Sequence, residues 1–139
     1  MVRIEVFNAH GTRRVKVERV RGYARRVLKL AGIKQAAISV VVVDSRYIRR
    51  INRLYLNHDF VTDVISFPLE LGRVLEGEVY VNLDRARSQA HHYGVSVENE
   101  LARLVIHGTL HLAGYDDKGP RQAGLMKREE EKHLRFWFN

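Results

Sequence analysis

Residues 107–117 read HGTLHLAGYDD, and in this stretch the residue types and their spacing point to chemistry. His107 and His111 are four residues apart, so on a helix both imidazoles project from one face, one turn above the other. Gly114 follows where the helix can end in a left-handed turn that glycine adopts cheaply. Asp117 then lies on chain that has turned back. The pattern H-x3-H-x2-G-x2-D therefore predicts a metal site with three protein ligands, His107, His111 and Asp117.

Three protein ligands leave a fourth coordination position open, which distinguishes catalytic zinc sites from closed structural ones. Two neutral imidazoles and one carboxylate favour one Zn²⁺ per chain, although other divalent transition metals such as nickel, cobalt or iron accept the same residue types. Asp116 is a competing third ligand, but Asp117 has the better reach if the helix ends at Gly114. The other five histidines fit no ligand spacing and are expected on the surface or in the core: His10, His58, His91, His92 and His133.

The spacing of these residues is similar to that of the metzincin metalloproteases. Their motif is H-E-x-x-H-x-x-G-x-x-H, in which the glutamate is the general base. Gly108 stands in the position of that glutamate, which argues against a peptidase. A metal that activates water can also hydrolyse a phosphodiester. Gly108 costs about 1 kcal/mol relative to alanine in a helix interior. We therefore expect it to let a substrate or another backbone approach the metal closely.

The composition is that of a soluble globular protein, and 139 residues predict a single domain over residues 1–139. The sequence has no cysteine, which excludes disulfides, cysteine-ligated metal sites and a thiolate nucleophile. It has neither an apolar run long enough to span a membrane nor a signal-peptide pattern. The sequence therefore predicts a cytoplasmic protein with no membrane partner.

Positive charge is concentrated in the first part of the chain. Residues 1–53 hold 14 Lys and Arg against three Asp and Glu, whereas residues 54–139 hold 10 against 13. Such a basic half favours a polyanionic partner, most commonly nucleic acid. The alternative is that the arginines serve only solubility or thermal tolerance.

Hydrophobic periodicity predicts a small α+β domain, with a mixed four-stranded sheet, about five helices and the metal site on the penultimate helix. Strands are expected at residues 2–7, 37–43, 63–67 and 78–83, the third stopped by Pro68 and followed by a loop or hairpin over 69–77. Helices are expected at 17–31, 44–56, 84–93, 120–137 and from 96 to the two histidines. Asp44, Asp84 and Ser96 are the expected N-caps of three of them.

The 107–117 motif resembles the HGxLHLxGYDH signature of the YbeY family, bacterial rRNA maturation factors described as metal-dependent endoribonucleases. Two further blocks match in order. Asn52 and Tyr55, followed by TDVISFP at 62–68, resemble the family's N-x-x-[aromatic] and T-[D/N]-V-[L/I]-S-F-P, and GEV at 77–79 resembles its G-[D/E]-[I/V]. The resemblance covers about residues 40 to 120.

The resemblance implies an α+β fold with zinc at His107, His111 and residue 117. It also implies single-strand-specific endoribonuclease activity in 16S rRNA maturation and ribosome quality control. Its partners would be rRNA and the small ribosomal subunit. An alternative from another class is a ribosome-assembly factor that binds RNA and in which zinc only stabilises the fold.

Two positions depart from the family pattern. The usual third ligand is histidine, whereas Asp117 adds negative charge and makes the metal a weaker Lewis acid. The family also has an arginine, proposed to act at the phosphate, where this chain has Leu56. Arg53 and Arg49 lie one and two turns back on the same predicted helix, and they are the candidates for contacting the RNA phosphate.

The TDVISFP block also has a structural interpretation. Ile65 and Phe67 are expected in the core. Asp63 and Ser66 are expected to brace the neighbouring loop.

Overall fold

A computed structural model of the chain describes residues 1–138. Its strands are β1 (Val2–Asn8), β2 (Ala36–Val43), β3 (Val64–Leu71) and β4 (Leu75–Asn82). Its helices are α1 (Val17–Leu30), α2 (Ser45–Leu56), α3 (Leu83–Tyr93), α4 (Val97–Leu112) and α5 (Pro120–Trp137). The predicted α+β class, with a mixed four-stranded sheet and five helices, is confirmed. Among the described helices, none is long and apolar enough to cross a membrane.

The sheet has the strand order β1-β2-β4-β3. Strands β1, β2 and β4 are parallel, and β3 pairs antiparallel with β4. Successive residues of β2 point to opposite faces of the sheet. Val40 and Val42 belong to the larger hydrophobic core, whereas Val43 belongs to a smaller one on the other face. Strand β2 is therefore packed on both faces, as its valine-rich sequence predicts.

Helix α4 is the central element of the larger core. Ten of its sixteen residues are buried, and it packs against α1, α3, α5, β3 and β4. Helix α2 covers the opposite face of the sheet, where Ile48 and Ile51 pack with Val43 and Ile65. The carboxyl end of α4 is thus fixed in position by every layer around it, and this end carries the two histidines of the motif.

The predicted ends of β3 and β4 are wrong. Pro68 does not stop β3, which continues to Leu71, and β4 begins at Leu75 rather than at Glu78. Because β3 is an edge strand, a residue without an N–H is tolerated in it, and the register shifts between Pro68 and Glu70. The stretch 69–77 is therefore a hairpin, the second of the two expected forms, since β3 and β4 pair antiparallel across a turn at residues 72–74.

Local capping signals are confirmed for two helices. Asp44 and Ser96 cap α2 and α4, each accepting a hydrogen bond from the backbone N–H three residues on. The prediction for α3 is wrong, because Asn82 is its N-cap. The carboxylate of Asp84 instead accepts a hydrogen bond from the N–H of Ser45, 3.0 Å away at the start of α2. Asp84 thus joins two helices rather than capping one.

Because α5 carries a buried histidine, we expect the free energy of unfolding to fall in acid. His133 is 1% exposed, and its Nδ1 accepts a hydrogen bond from Arg26 Nη1 at 2.6 Å. Burial, with the nearby Arg26 charge, lowers the pKa of His133 to about 4. An unfolded histidine titrates near 6.5, so between about pH 6.5 and 4 the unfolded chain binds a proton that the folded chain excludes. The free energy of unfolding should fall in that window by on the order of 2 kcal/mol from this residue.

Urea unfolding at pH 7, 5.5 and 4.5 measures this loss. In the variant His133→Gln, whose amide oxygen can still accept a hydrogen bond from Arg26, the loss should be smaller by that amount. An equal loss in the variant and the wild type would show that other groups cause the acid sensitivity.

Candidate functional site

The end of α4 places the predicted ligands around one cavity. Helix α4 ends at Leu112, and Gly114 follows with a φ of +108°. The chain reverses there, since the N–H of Tyr115 donates to the carbonyl of Leu110 at 3.0 Å. His107 and His111 on the helix and Asp117 after the turn line a common cavity of about 300 Å³. The helix, the turn and the returning aspartate are arranged as the spacing predicts.

The three side chains share this cavity but do not form a closed coordination sphere. Nε2 of His107 lies 3.8 Å from Oδ2 of Asp117. Across residues 1–138, no group of three or more His, Cys, Asp or Glu side chains is spaced to hold a metal ion. The ligand assignment to His107, His111 and Asp117 therefore stays a prediction.

Glu130 of α5 orients the first of these imidazoles. Its Oε2 lies 2.6 Å from Nδ1 of His107. A carboxylate accepts a hydrogen bond, so Nδ1 carries a proton and Nε2 faces Asp117 with a free lone pair when the ring is neutral. This hydrogen bond raises the pKa of His107, and the charges of Asp117 and Asp63 act in the same direction. Histidines that bind zinc commonly donate from their second ring nitrogen to a carboxylate, a backbone carbonyl or a water, and the contact of His107 with Glu130 has this form.

A network of charged side chains holds Glu130 in place. Glu130 is 6% exposed, and Arg103 Nη1 lies 3.5 Å from its Oε1. Arg103 also donates to both oxygens of the buried Glu100, at 2.9 and 2.5 Å. Gln89 Nε2 donates to Glu100 Oε2 at 2.6 Å. The hydrogen bonds to Glu100, with the charges of Glu100 and Glu130, raise the pKa of the Arg103 guanidinium. The network joins α3, α4 and α5 through Gln89, Arg103 and Glu130. Since Glu130 orients His107, the position of that imidazole depends on three helices.

Sequence reasoning missed Glu130. A signal was present, because Glu130 falls on the buried face of α5 with Met126, His133 and Leu134. A carboxylate on a buried helix face needs a hydrogen-bonding or charged partner. That pattern indicates a partner, but not which one.

The opposite wall of the cavity comes from the end of α2, the following loop and β3. Asn52 is 2% exposed, and its Nδ2 donates to the carbonyl of Phe60 at 3.1 Å. His58, expected on the surface or in the core, lines the cavity as an exposed side chain. Ser66 donates from Oγ to the carbonyl of Gly108 at 3.0 Å. Ser66 therefore braces helix α4 rather than a neighbouring loop, whereas Ile65 is buried as predicted.

The candidate phosphate-binding arginines lie outside the cavity lining. Arg49 and Arg53 are exposed on α2, and Nε of Arg49 is 2.8 Å from Oδ1 of Asp59. Leu56, at the family's arginine position, lines the cavity. A role of Arg49 or Arg53 at the RNA phosphate stays a prediction.

Gly108 serves packing rather than access to a metal. A Cβ atom there would lie 2.4 Å from Cγ1 of Val79 and 3.2 Å from Cγ2 of Val64. The missing side chain therefore lets α4 approach β3 and β4. The space beside Gly108 is filled by side chains of the sheet, so the prediction that substrate approaches there is wrong.

Comparison with known proteins gives consistent matches. A family model described as Endoribonuclease YbeY matches residues 5–137. A protein named Endoribonuclease YbeY from Chlorobium phaeovibrioides is 42% identical, over 90% of this chain and 85% of its own. One of the same name from Salinibacter ruber is 35% identical, over 94% and 89%. The solution structure of TM1509 from Thermotoga maritima has a TM-score of 0.68 and 27% identity, covering 94% of this chain and 86% of that one.

Proposed function

The chain belongs to the YbeY endoribonuclease family, and from this premise we propose that it is a zinc-dependent endoribonuclease that cleaves single-stranded RNA. We further propose that it acts in 16S rRNA maturation and ribosome quality control in the cytoplasm, with rRNA and the small ribosomal subunit as partners. The observation that carries the proposal is the cavity at the end of α4. It is lined by His107, His111 and Asp117, and Glu130 orients the first of these.

These three side chains would hold one zinc ion per chain, and other divalent transition metals suit the same donors. Such an ion, when bound, supplies a Lewis acid that activates water for hydrolysis. Glu130 keeps the proton of His107 on Nδ1, which leaves Nε2 available on the side of Asp117. The carboxylate of Asp117 adds a negative charge that a third histidine would not add.

Charge on α2 supports RNA as the substrate. The helix has four exposed arginines and contributes Asn52 and Leu56 to the cavity lining. Clustered arginines attract a phosphate backbone independently of its sequence. The four arginines are Arg46, Arg49, Arg50 and Arg53.

The size and position of the cavity support an unpaired strand. It measures about 300 Å³ and lies between the end of one helix and a loop. Proteins recognise single-stranded RNA by admitting unstacked bases to such recesses, whereas a base-paired helix keeps its bases stacked inside. Cleavage should therefore require an unpaired segment.

The proposal is tested on purified protein analysed for metal. An end-labelled RNA is presented alone and annealed to its complement, with EDTA, and after zinc is restored. We expect about one metal equivalent per chain, cleavage of the unpaired strand only, loss with EDTA and recovery with zinc.

Cleavage that continues in EDTA would contradict metal dependence. If metal removal only lowers the melting temperature, while RNA still binds and is never cleaved, the chain is instead an assembly factor with a structural zinc.

A further inference from the structure

We propose that Phe60 is a stacking platform for an unpaired nucleobase beside the candidate catalytic cavity. This deepens the proposed function and rests on it, because the ligand is a nucleotide of the RNA strand entering that cavity. Phe60 lies in the loop between α2 and β3, lines the cavity with His107 and His111, and is 53% exposed.

The ring of Phe60 is arranged for stacking. The imidazole of His58 is nearly parallel to it, with an interplanar angle of 17° and ring centroids 5.3 Å apart. The exposed half of the side chain leaves aromatic surface free for a third flat ring. A nucleobase placed there would continue the stack of His58 and Phe60. Stacking tolerates any base, because every base has a π-face.

The loop that carries Phe60 is fixed to α2 before any ligand binds. Asn57 ends the helix in the left-handed region, and its N–H donates to the carbonyl of Asn52. The same carbonyl accepts from the N–H of His58 at 3.1 Å. The side chain of the buried Asn52 donates to the carbonyl of Phe60 at 3.1 Å. The backbone that carries the aromatic ring is therefore held in place, which reduces the entropy lost on binding.

Asp59 is the remaining residue of this segment, and it too is tied to α2. Its carboxylate pairs with Arg49, with Nε and Oδ1 2.8 Å apart. This pair neutralises the one acidic side chain among residues 57–60, which would otherwise repel a phosphate. The segment thus presents an imidazole and a phenyl ring to the strand, with its negative charge covered.

The surroundings favour RNA over a protein as the occupant. The cavity is continuous with the candidate metal ligands, and α2 carries four exposed arginines. A cationic surface with an interleaved aromatic ring is the combination that binds single-stranded nucleic acid. A base in a duplex is already stacked and paired, so this platform also explains a preference for unpaired RNA.

The experiment compares two ligands of equal charge. Fluorescence anisotropy in EDTA measures the Kd of labelled octauridylate and of an eight-unit abasic ribose-phosphate chain. The wild type should bind octauridylate more tightly. Phe60→Ala should weaken octauridylate binding about 5- to 100-fold, the range expected for one stacked base, and leave the abasic chain unchanged. Phe60→Trp, which keeps an aromatic ring, should bind octauridylate about as tightly as the wild type.

Phe7→Ala is the matched control. Phe7 is 49% exposed on β1, at the opposite edge of the sheet from β3, and its removal should change neither Kd. Thermal melting should show that every variant is folded at the assay temperature. If Phe60→Ala leaves the affinity for octauridylate unaltered, Phe60 is not a stacking platform, and a protein partner becomes the candidate occupant of this surface. An equal loss of affinity for both ligands would also contradict the proposal. Failure of the wild type to bind either chain, both in EDTA and after zinc is restored, would reject RNA as the substrate, and with it the proposed function.

Discussion

His111→Ala is expected to abolish cleavage of unpaired RNA and to remove the bound metal. His111 is one of three proposed ligands, and losing a ligand should cost more than the 10–100-fold that loss of an outer-shell partner costs. The side chain is exposed, so the fold should remain stable. Metal analysis, RNA cleavage and thermal melting on the same preparation measure the three effects.

Two companion variants make this result specific. Glu130→Gln replaces the carboxylate that orients His107 and should weaken metal affinity about 10- to 100-fold without removing a ligand. His91→Ala removes an exposed histidine of α3 and should change neither metal content nor cleavage. Normal metal content and cleavage in His111→Ala would contradict the ligand assignment.

Gly108→Ala is expected to destabilise the fold although alanine is the better helix former. The added Cβ would lie 2.4 Å from Cγ1 of Val79 and 3.1 Å from Oγ of Ser66, so α4 must move away from the sheet. Overpacking of this kind costs about 1–3 kcal/mol, which outweighs the gain in helix propensity of about 1 kcal/mol. Urea unfolding measures the change.

Gly124→Ala provides the matched control. Gly124 also lies within a helix, α5, but a Cβ there meets nothing within 4 Å. This variant should gain up to about 1 kcal/mol from helix propensity. Equal responses of Gly108→Ala and Gly124→Ala would show that close packing of α4 on the sheet is not what requires glycine.

Features encoded by a few neighbouring residues could be predicted from the sequence. Asp44 and Ser96 cap their helices through the backbone N–H three residues on. Likewise, the spacing of His107, Gly114 and Asp117 is sufficient to predict a helix, a turn and a return. In each case the deciding residues lie at most ten positions apart in the sequence. No knowledge of the tertiary fold is therefore needed.

Features that depend on the tertiary fold could not be predicted. Pro68 is compatible with β3 only because that strand lies at the edge of the sheet. Gly108 was predicted to give access to a metal, but its role in packing α4 against Val79 depends on the tertiary fold. The partnership of His107 with Glu130 spans 23 residues and requires α5 to fold back onto α4. His58 reaches the cavity through a loop whose course depends on hydrogen bonds to Asn52.

The most direct test of zinc binding by His107, His111 and Asp117 is an anomalous difference map at the zinc absorption edge, from a crystal of the zinc-loaded protein. We expect one strong peak per chain, about 2.0–2.2 Å from a nitrogen of His107, a nitrogen of His111 and a carboxylate oxygen of Asp117. A peak bound elsewhere, or full zinc loading with no peak among these three side chains, would contradict it.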